Sequence, residues 1–206
     1  MEIFTTDEDR EVYVALLAEF APRYALGIWA WCLMTNHVHL VVVPERKDSL
    51  ARAIGEAHRR YTRGINVREG VRGHLFQERF HSFPIQADGH LLAVVRYVER
   101  NPVRAKMVER AEDYPWSSAR YHVDGRVDRL VELSPVRGMV MDWSQFLRGD
   151  EARRELGTIR RHLRTGRPWG TELWLRKMEK RLGRRLLPRT GGWPRGRSRK
   201  NRDQQQ

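Results

Sequence analysis

The run ALGIWAWCLMTNHVHLVVV at residues 25–43 decides the fold. Its first part, residues 25–33, is apolar, and its last part, residues 37–43, is rich in valine. Between them Met34, Thr35 and Asn36 interrupt the pattern with turn chemistry. Two strand-like runs separated by so short a break predict an antiparallel hairpin, which Pro44 ends. On its N-terminal side, Thr5 or Thr6 followed by Glu8 or Asp9 resembles a capping box, and Val12, Leu16, Leu17 and Phe20 recur at helical spacing up to Pro22. On its C-terminal side, Ser49 is expected to cap a helix through Leu50, Ala53, Ile54, Ala57 and Tyr61, followed by a glycine-punctuated stretch from Gly64 to Gly73. Residues 75–85 (LFQERFHSFPI) alternate in the manner of a strand. Asp88 is expected to cap a third helix with Leu91, Leu92, Val95 and Val98 as its buried stripe. That helix ends before Pro102, because proline disfavours helical geometry at the preceding residue.

The body order is therefore α-β-β-α-β-α. This is an α+β plan, a ferredoxin-like antiparallel sheet with helices on it that lacks the first strand of a βαββαβ unit. The reading places the α+β domain at residues 1–125, a basic helical extension at 126–190 and a disordered basic tail at 191–206. Within the extension, residues 150–164 read as a basic helix, and Thr171 caps an amphipathic one through Leu173, Leu175, Met178 and Leu182. Residues 191–206 mix Gly, Pro and Arg with no apolar period, the composition of a disordered chain.

Composition narrows the function classes. The chain has 206 residues, 40% of them hydrophobic and 9% aromatic, enough for a core. With 32% charged residues, and no run near the ~18 apolar residues that a membrane span needs, an integral membrane protein is excluded. The acidic Asp7, Glu8 and Asp9 do not belong to a signal or transit peptide. The single cysteine, Cys32, reads as a core residue, cannot form an internal disulfide and fits a cytoplasmic protein. Residues 150–206 hold 18 Lys/Arg against 6 Asp/Glu, nearly all of the net charge of +13. A basic segment on a balanced body points to a polyanion partner, nucleic acid being the common one. A solubilising tail is the competing reading.

In a strand, residues two apart share a face, so His37 and His39 point the same way and make half of a metal site. Chance alternation is the competing reading. Tyr97 and Asn101, four apart, stack on one helical face with His90, Ala93 and Val94, rotated away from the apolar stripe. An amide oxygen would serve as third ligand and the phenol would stand beside the metal. Alternatively, Tyr97 packs at the core margin and Asn101 caps the helix. Arg63, Arg68, Arg72, His74 and Arg79 lie around the glycine-rich stretch and could line a DNA groove or be solvated. Glu78 is a reserve ligand, Tyr61 a second tyrosine whose phenol could react in place of that of Tyr97, and Trp116 an anchor for the sheet end. In the tail, Arg195, Arg197, Arg199 and Lys200 would contact phosphates. Trp169, Trp174 and Trp193 could stack on bases, although Trp174 has core spacing.

The segments WCLMTNHVHLVVVP, YTRGIN, GHLFQERF, RYVERNPVRAKMV and YPWSSARY, in this order and spacing, resemble the REP-associated tyrosine transposases, a group of the HUH single-tyrosine transposases. The resemblance covers roughly residues 2–122, and GRPWGTELW and LGRRLLPR resemble the family's basic C-terminal extension. It implies that His37 and His39 bind a divalent ion, Mg²⁺ or Mn²⁺, with Asn101 in the third-ligand position and Tyr97 as nucleophile. It further implies metal-dependent cleavage and rejoining of single-stranded DNA at palindromic hairpins, through a 5′-phosphotyrosine and a free 3′-OH. No other cofactor is implied. The protein would be a DNA-transposition and recombination enzyme of the bacterial cytoplasm and nucleoid, monomeric or homodimeric, with no membrane partner. Family members start with a strand reading like YHVxxRG, which has no counterpart in this sequence. Two rival readings remain: an inactive DNA-hairpin-binding protein of the same fold, and a metal-dependent phosphodiesterase that uses water.

Overall fold

The computed structural model describes residues 2–77, 79–131, 134–149 and 152–187, except for the side chain of Asp88. The hairpin forms as expected, β1 (Leu26–Leu33) pairing antiparallel with β2 (Val38–Pro44). The register slips between Ile28 and Ala30, a β-bulge at Trp29. One extra residue reverses the alternation of the strand beyond it. Leu26 and Ile28 therefore share a face with Trp31 and Leu33, while Ala30 and Cys32 turn to the other. On β2, Val38, Leu40 and Val42 join the first face and Val41 the second.

Helices cover both faces. On the first lie α1 (Asp7–Arg23) and α2 (Ser49–Glu69), which bury Tyr13, Leu17, Phe20, Ile54 and Tyr61 there. On the second lies α3 (Ala87–Glu99), with Leu91, Val94, Val95 and Val98. The result is an α+β fold, a ferredoxin-like antiparallel sheet with helices packed on it. The segment around Ser117 extends the β1 side: Leu33 N–H donates to the Trp116 carbonyl (2.9 Å) and Ser118 N–H to that of Trp31 (3.0 Å). No strand adjoins the outer edge of β2 among the described residues.

The Thr6 capping box is present, with Asp9 N–H donating to Thr6 Oγ1 (3.2 Å) and Thr6 N–H to the Asp9 carboxylate (3.2 Å). Arg68 Nη1 donates to the same carboxylate at 2.6 Å, tying the start of α1 to the end of α2. Burial would raise the Asp9 carboxyl, but the hydrogen bonds from Arg68, Thr5 and Thr6 outweigh it and hold the group at about 2.

Three expectations need correction. First, α2 continues through Gly64 to Glu69 and stops at Gly70, whose positive φ (65°) suits a residue without Cβ. A helical glycine costs about 1 kcal/mol relative to alanine. Here Ile65 against the core and Arg68 on Asp9 offset it. Second, the caps differ by one or two residues. Asp48 precedes α2, while Ser49 accepts the Arg46 N–H (3.0 Å); Gln86 precedes α3, which leaves Asp88 inside the first turn. Third, residues 75–85 form no strand among the described residues, because no neighbouring ladder is available to satisfy one. Ile85 alone bridges Trp169, with Gln86 N–H donating to the Trp169 carbonyl and Trp169 N–H to that of Pro84 (both 2.8 Å).

Beyond α3 the chain is helical: α4 (Asn101–Arg104), α5 (Ala119–Asp124), α6 (Trp143–Arg148), α7 (Arg153–Thr165) and α8 (Glu172–Leu182). Trp143, Leu147 and Ile159 from α6 and α7 pack into the α3 cluster. Thr171 caps α8 as expected, accepting the Trp174 N–H at 3.3 Å. No helix of the described residues is long and apolar enough to cross a membrane. The tail at 191–206 lies outside the described residues.

Tyr61, the rival nucleophile, is a structural residue. It is 1% exposed, and its hydroxyl donates to the Ile3 carbonyl at 2.8 Å. Tyr61→Phe leaves that buried carbonyl short of a donor and is expected to lower unfolding free energy by about 1–2 kcal/mol. Urea denaturation reads this as a lower midpoint at unchanged slope.

Candidate active site

His37 sits in the turn ahead of β2, where its carbonyl accepts the Met34 N–H (2.9 Å), and His39 lies on β2 itself. Their ring centroids are 4.7 Å apart with planes at 87°. Asn36 Oδ1 lies 2.6 Å from His37 Nδ1. That contact places the proton on Nδ1 and leaves the Nε2 lone pair for a ligand role. Desolvation lowers the pKa of His37. Burial, then the neighbouring His37 and Arg104, bring His39 down to about 3. Both imidazoles are thus neutral near pH 7, the form that binds metal ions.

Alternation along β2 turns His39 to the face on which α3 packs. The Tyr97 ring stands 5.7 Å from His39 at 82° and is 7% exposed. Tyr97 does not lie on the off-core helix face that the residue spacing predicts. Ala93, Val94 and Tyr97 are buried as well as Leu91, Val95 and Val98, because the sheet lies on one side of α3 and the extension helices on another. Arg104 clamps the tyrosine. Its guanidinium is 4.2 Å from the ring centroid and donates to the Tyr97 carbonyl. The sequence reading missed Arg104, although seven residues, two helical turns, beyond Tyr97 is a same-face spacing.

Asn101 opens α4 just after the break at Arg100. Its Nδ2 is buried without a partner. Among the described residues no three His, Cys, Asp or Glu side chains form a metal-binding group. A divalent ion here would take the two neutral imidazoles and complete its shell with oxygens; the orphaned Asn101 atom, Nδ2, is a donor and not a metal ligand. The pair of neutral imidazoles fits such an ion. Glu78, the reserve ligand, lies outside the described residues.

His39 and Tyr97 open on a cleft of about 540 Å³. Its walls are β2, the segment 80–85, Leu91, Val94 and Val98 of α3, and Ile159 and Leu163 of α7. Beneath Tyr97 runs a buried polar network that the sequence reading also missed. Glu99 Oε1 is 2.6 Å from His122 Nδ1 and accepts from Ser118 Oγ at 2.6 Å, and Trp143 stacks on His122 at 4.4 Å. The other Glu99 oxygen and His122 Nε2 have no partner. A glutamate closing the apolar stripe of α3, in line with Leu91, Leu92 and Val95, was its one visible signal. Cys32 is a core thiol, pushed up by burial first.

The basic candidates separate. Arg68 is engaged by Asp9 and Glu69. Arg63 lines a shallow cleft with Arg59 and Arg60 on α2, whereas His74 and Arg79 line another with His58 and Phe76, whose rings stack at 3.7 Å and 8°. Arg72 is exposed. Trp169 is half-buried and stacks on His90 (4.5 Å) and His162 (5.8 Å), contacts that compete with a base. Trp116 anchors the sheet end, as expected, and donates from Nε1 to Asp7 (3.0 Å). Trp193, Arg195, Arg197, Arg199 and Lys200 lie outside the described residues.

Residues 1–101 match the family model described as "Transposase IS200 like". A Haemophilus influenzae protein assigned as a REP-associated tyrosine transposase is 28% identical over 116 residues. That match covers 52% of this chain and 65% of the relative, so the chain spans just under two-thirds of its length. No solved structure matches the chain.

The histidines set an acid limit on stability. Burial lowers His58 from 6.5 to about 4 and, as first cause, His39 to about 3. As pH falls through 6.5 the unfolded chain takes up protons that the folded one refuses. The stability these groups contribute is therefore complete above pH 6.5 and lost as pH falls toward 4. His58→Phe keeps the ring stack on Phe76 and removes one such proton. Urea midpoints followed from pH 7 to 4.5 should fall less steeply in this variant than in the parent.

Proposed function

The chain belongs to the IS200-like transposases, and from that premise and the geometry around Tyr97 we propose that it cuts and rejoins single-stranded DNA through a 5′-phosphotyrosine intermediate. The observation that carries this reading is the contact of three rings, His37 on His39 and His39 on Tyr97, at the edge of one cleft.

Tyr97 Oη attacks the scissile phosphorus in line. The Tyr97 O–P bond forms as the phenol gives up its proton, the P–O3′ bond breaks, and the 3′-oxygen leaves as a hydroxyl, in net taking the proton that the phenol lost. The DNA is then joined to the protein by its 5′-phosphate, and the bond energy is kept for resealing. A 3′-OH reverses the step, its oxygen bonding to phosphorus as Tyr97 departs. Arg104 holds the phenol ring in one orientation throughout, from its face and through the Tyr97 carbonyl. A divalent ion, Mg²⁺ or Mn²⁺, held by His37, His39 and the Asn101 carboxamide, would supply relief of charge on the non-bridging phosphate oxygens. The largely apolar walls limit water, which favours transfer over hydrolysis.

A nucleophile only 7% exposed demands an unpaired strand that can bend to it. Arg63, Arg72, His74 and Arg79, with Arg60 beside Arg63, would hold the backbone of that strand, while Arg68 is held by Asp9 and Arg59 by Glu56. The substrate is a palindromic hairpin, bound by a monomer or a homodimer, with residues 1–125 as the catalytic domain and 126–190 as a basic extension. The outer edge of β2, unpaired among the described residues, favours a second reading, a hairpin-binding protein of the same fold without activity.

A labelled single-stranded hairpin, incubated with and without Mn²⁺ and run on a denaturing gel, tests the proposal. The parent should give a protein–DNA adduct only with the ion. Tyr97→Phe should lose the adduct entirely while its binding is unchanged, and His39→Ala should lower adduct yield by about 10²-fold or more. An adduct that persists in Tyr97→Phe overturns the assignment. Cleaved products free of protein would mean a water-using phosphodiesterase, and binding without cleavage would mean the inactive reading.

A further inference from the structure

Helix α7 has two unlike faces. Its inner face buries Ile159 (1% exposed), and Leu156 and Leu163 pack beside it; Ile159 and Leu163 line the cleft that holds Tyr97. Glu155, the acid within α7, also turns inward and pairs with Arg96 at 2.7 Å. The outer face carries Arg153, Arg154, Arg160, Arg161 and Arg164, all exposed. Among the described residues none of these five side chains has an ion pair or a hydrogen bond.

Five uncompensated guanidinium groups along one helix repel one another, so the stripe lowers stability unless a polyanion neutralises it. Arg153 and Arg164 are eleven residue rises apart, about 16 Å, alongside which duplex DNA presents roughly nine phosphates. No aromatic side chain is interleaved on the stripe, so it offers nothing on which an unpaired base would stack. It is suited to a backbone read without regard to sequence. A membrane surface is a poor alternative. An interfacial helix needs a free apolar face to insert, and the apolar face of α7 is spent on α3.

We propose that the outer arginine stripe of α7 is a binding site for the phosphate backbone of double-stranded nucleic acid, one helix width from the Tyr97 cleft. Resting on the single-strand transesterase reading, the duplex it holds is the stem of the hairpin, and the stem's position brings the unpaired strand to Tyr97. The rigid docking of α7 on α3 fixes that geometry, since one helix forms both the cleft wall and the stem support.

Equilibrium binding of the full chain to a short duplex and to the hairpin, followed by fluorescence anisotropy across a salt series, tests this. The variant carries Arg160→Gln, Arg161→Gln and Arg164→Gln together. Each lost phosphate contact should reduce the slope of log K against log[salt] by about 0.9, hence by roughly 2–3 in all. Duplex affinity should fall by at least about tenfold at physiological salt, and the triple lysine variant should keep most of the slope. If the glutamine triple fails to fold, as circular dichroism would show, Arg160→Gln and Arg164→Gln singly should each lower the slope by about 0.9. An unchanged slope and affinity overturns the proposal. So does parent binding to phosphatidylserine vesicles as tight as to duplex. Because the readout involves no cleavage, a chain that never forms the Tyr97 adduct can still bear the proposal out. One that forms the adduct with an unaltered salt slope refutes this site alone.

Discussion

The seating of α3 on the second face of the β1–β2 hairpin is the constraint on which the rest of the molecule depends. A two-stranded hairpin is marginal in water by itself. It persists here because α1 and α2 bury one face and α3 the other. The bulge at Trp29 makes this two-sided burial self-consistent, turning Trp31 and Leu33 back to the α1 and α2 side while Ala30 and Cys32 meet α3. Small side chains at 30 and 32 let α3 lie close, and closeness brings the Tyr97 ring to His39. The same seating withdraws water from His39, which keeps its imidazole neutral. Fold and site chemistry therefore have one cause.

The polar groups beneath α3 sharpen that seating. Glu99, His122 and Ser118 are fully or almost fully buried, and Ser118 also accepts the Trp31 N–H of β1. A buried ionisable pair contributes little net stability, but removing one member leaves the other uncompensated. Its physical effect is to penalise any register of α3 other than the one that meets Ser118 and His122. Tyr97 and Asn101 stand two residues to either side of Glu99, so the penalty acts where the site needs precision. Arg104 adds a second restraint from the following helix.

Short-range rules explain what was legible in the residues. The hairpin, the Thr6 and Thr171 caps, the α7 and α8 helices and the shared face of His37 and His39 each follow from a period of two or 3.6 residues, or from a capping side chain a few positions away. Where two rules compete locally the reading went astray. Gly64 looked like a break, but the Arg68–Asp9 bond, 59 residues apart in sequence, keeps α2 helical. Residues 75–85 alternate like a strand, yet alternation does not supply the neighbour that a ladder needs.

By itself the sequence determined the first helices, the hairpin, the basic character of residues 150–206 and the side-chain types able to do the chemistry. These are set by neighbours within a turn or a strand pair. Tertiary structure alone decided that Tyr97 is buried and not marginal, that Arg104 lies over its ring, and that Trp169 stacks on two histidines. It also decided that Glu99 finds His122 and that Ser118 finds Trp31 across 87 residues. Each of these depends on which face of one element meets which face of another, and no local period carries that information.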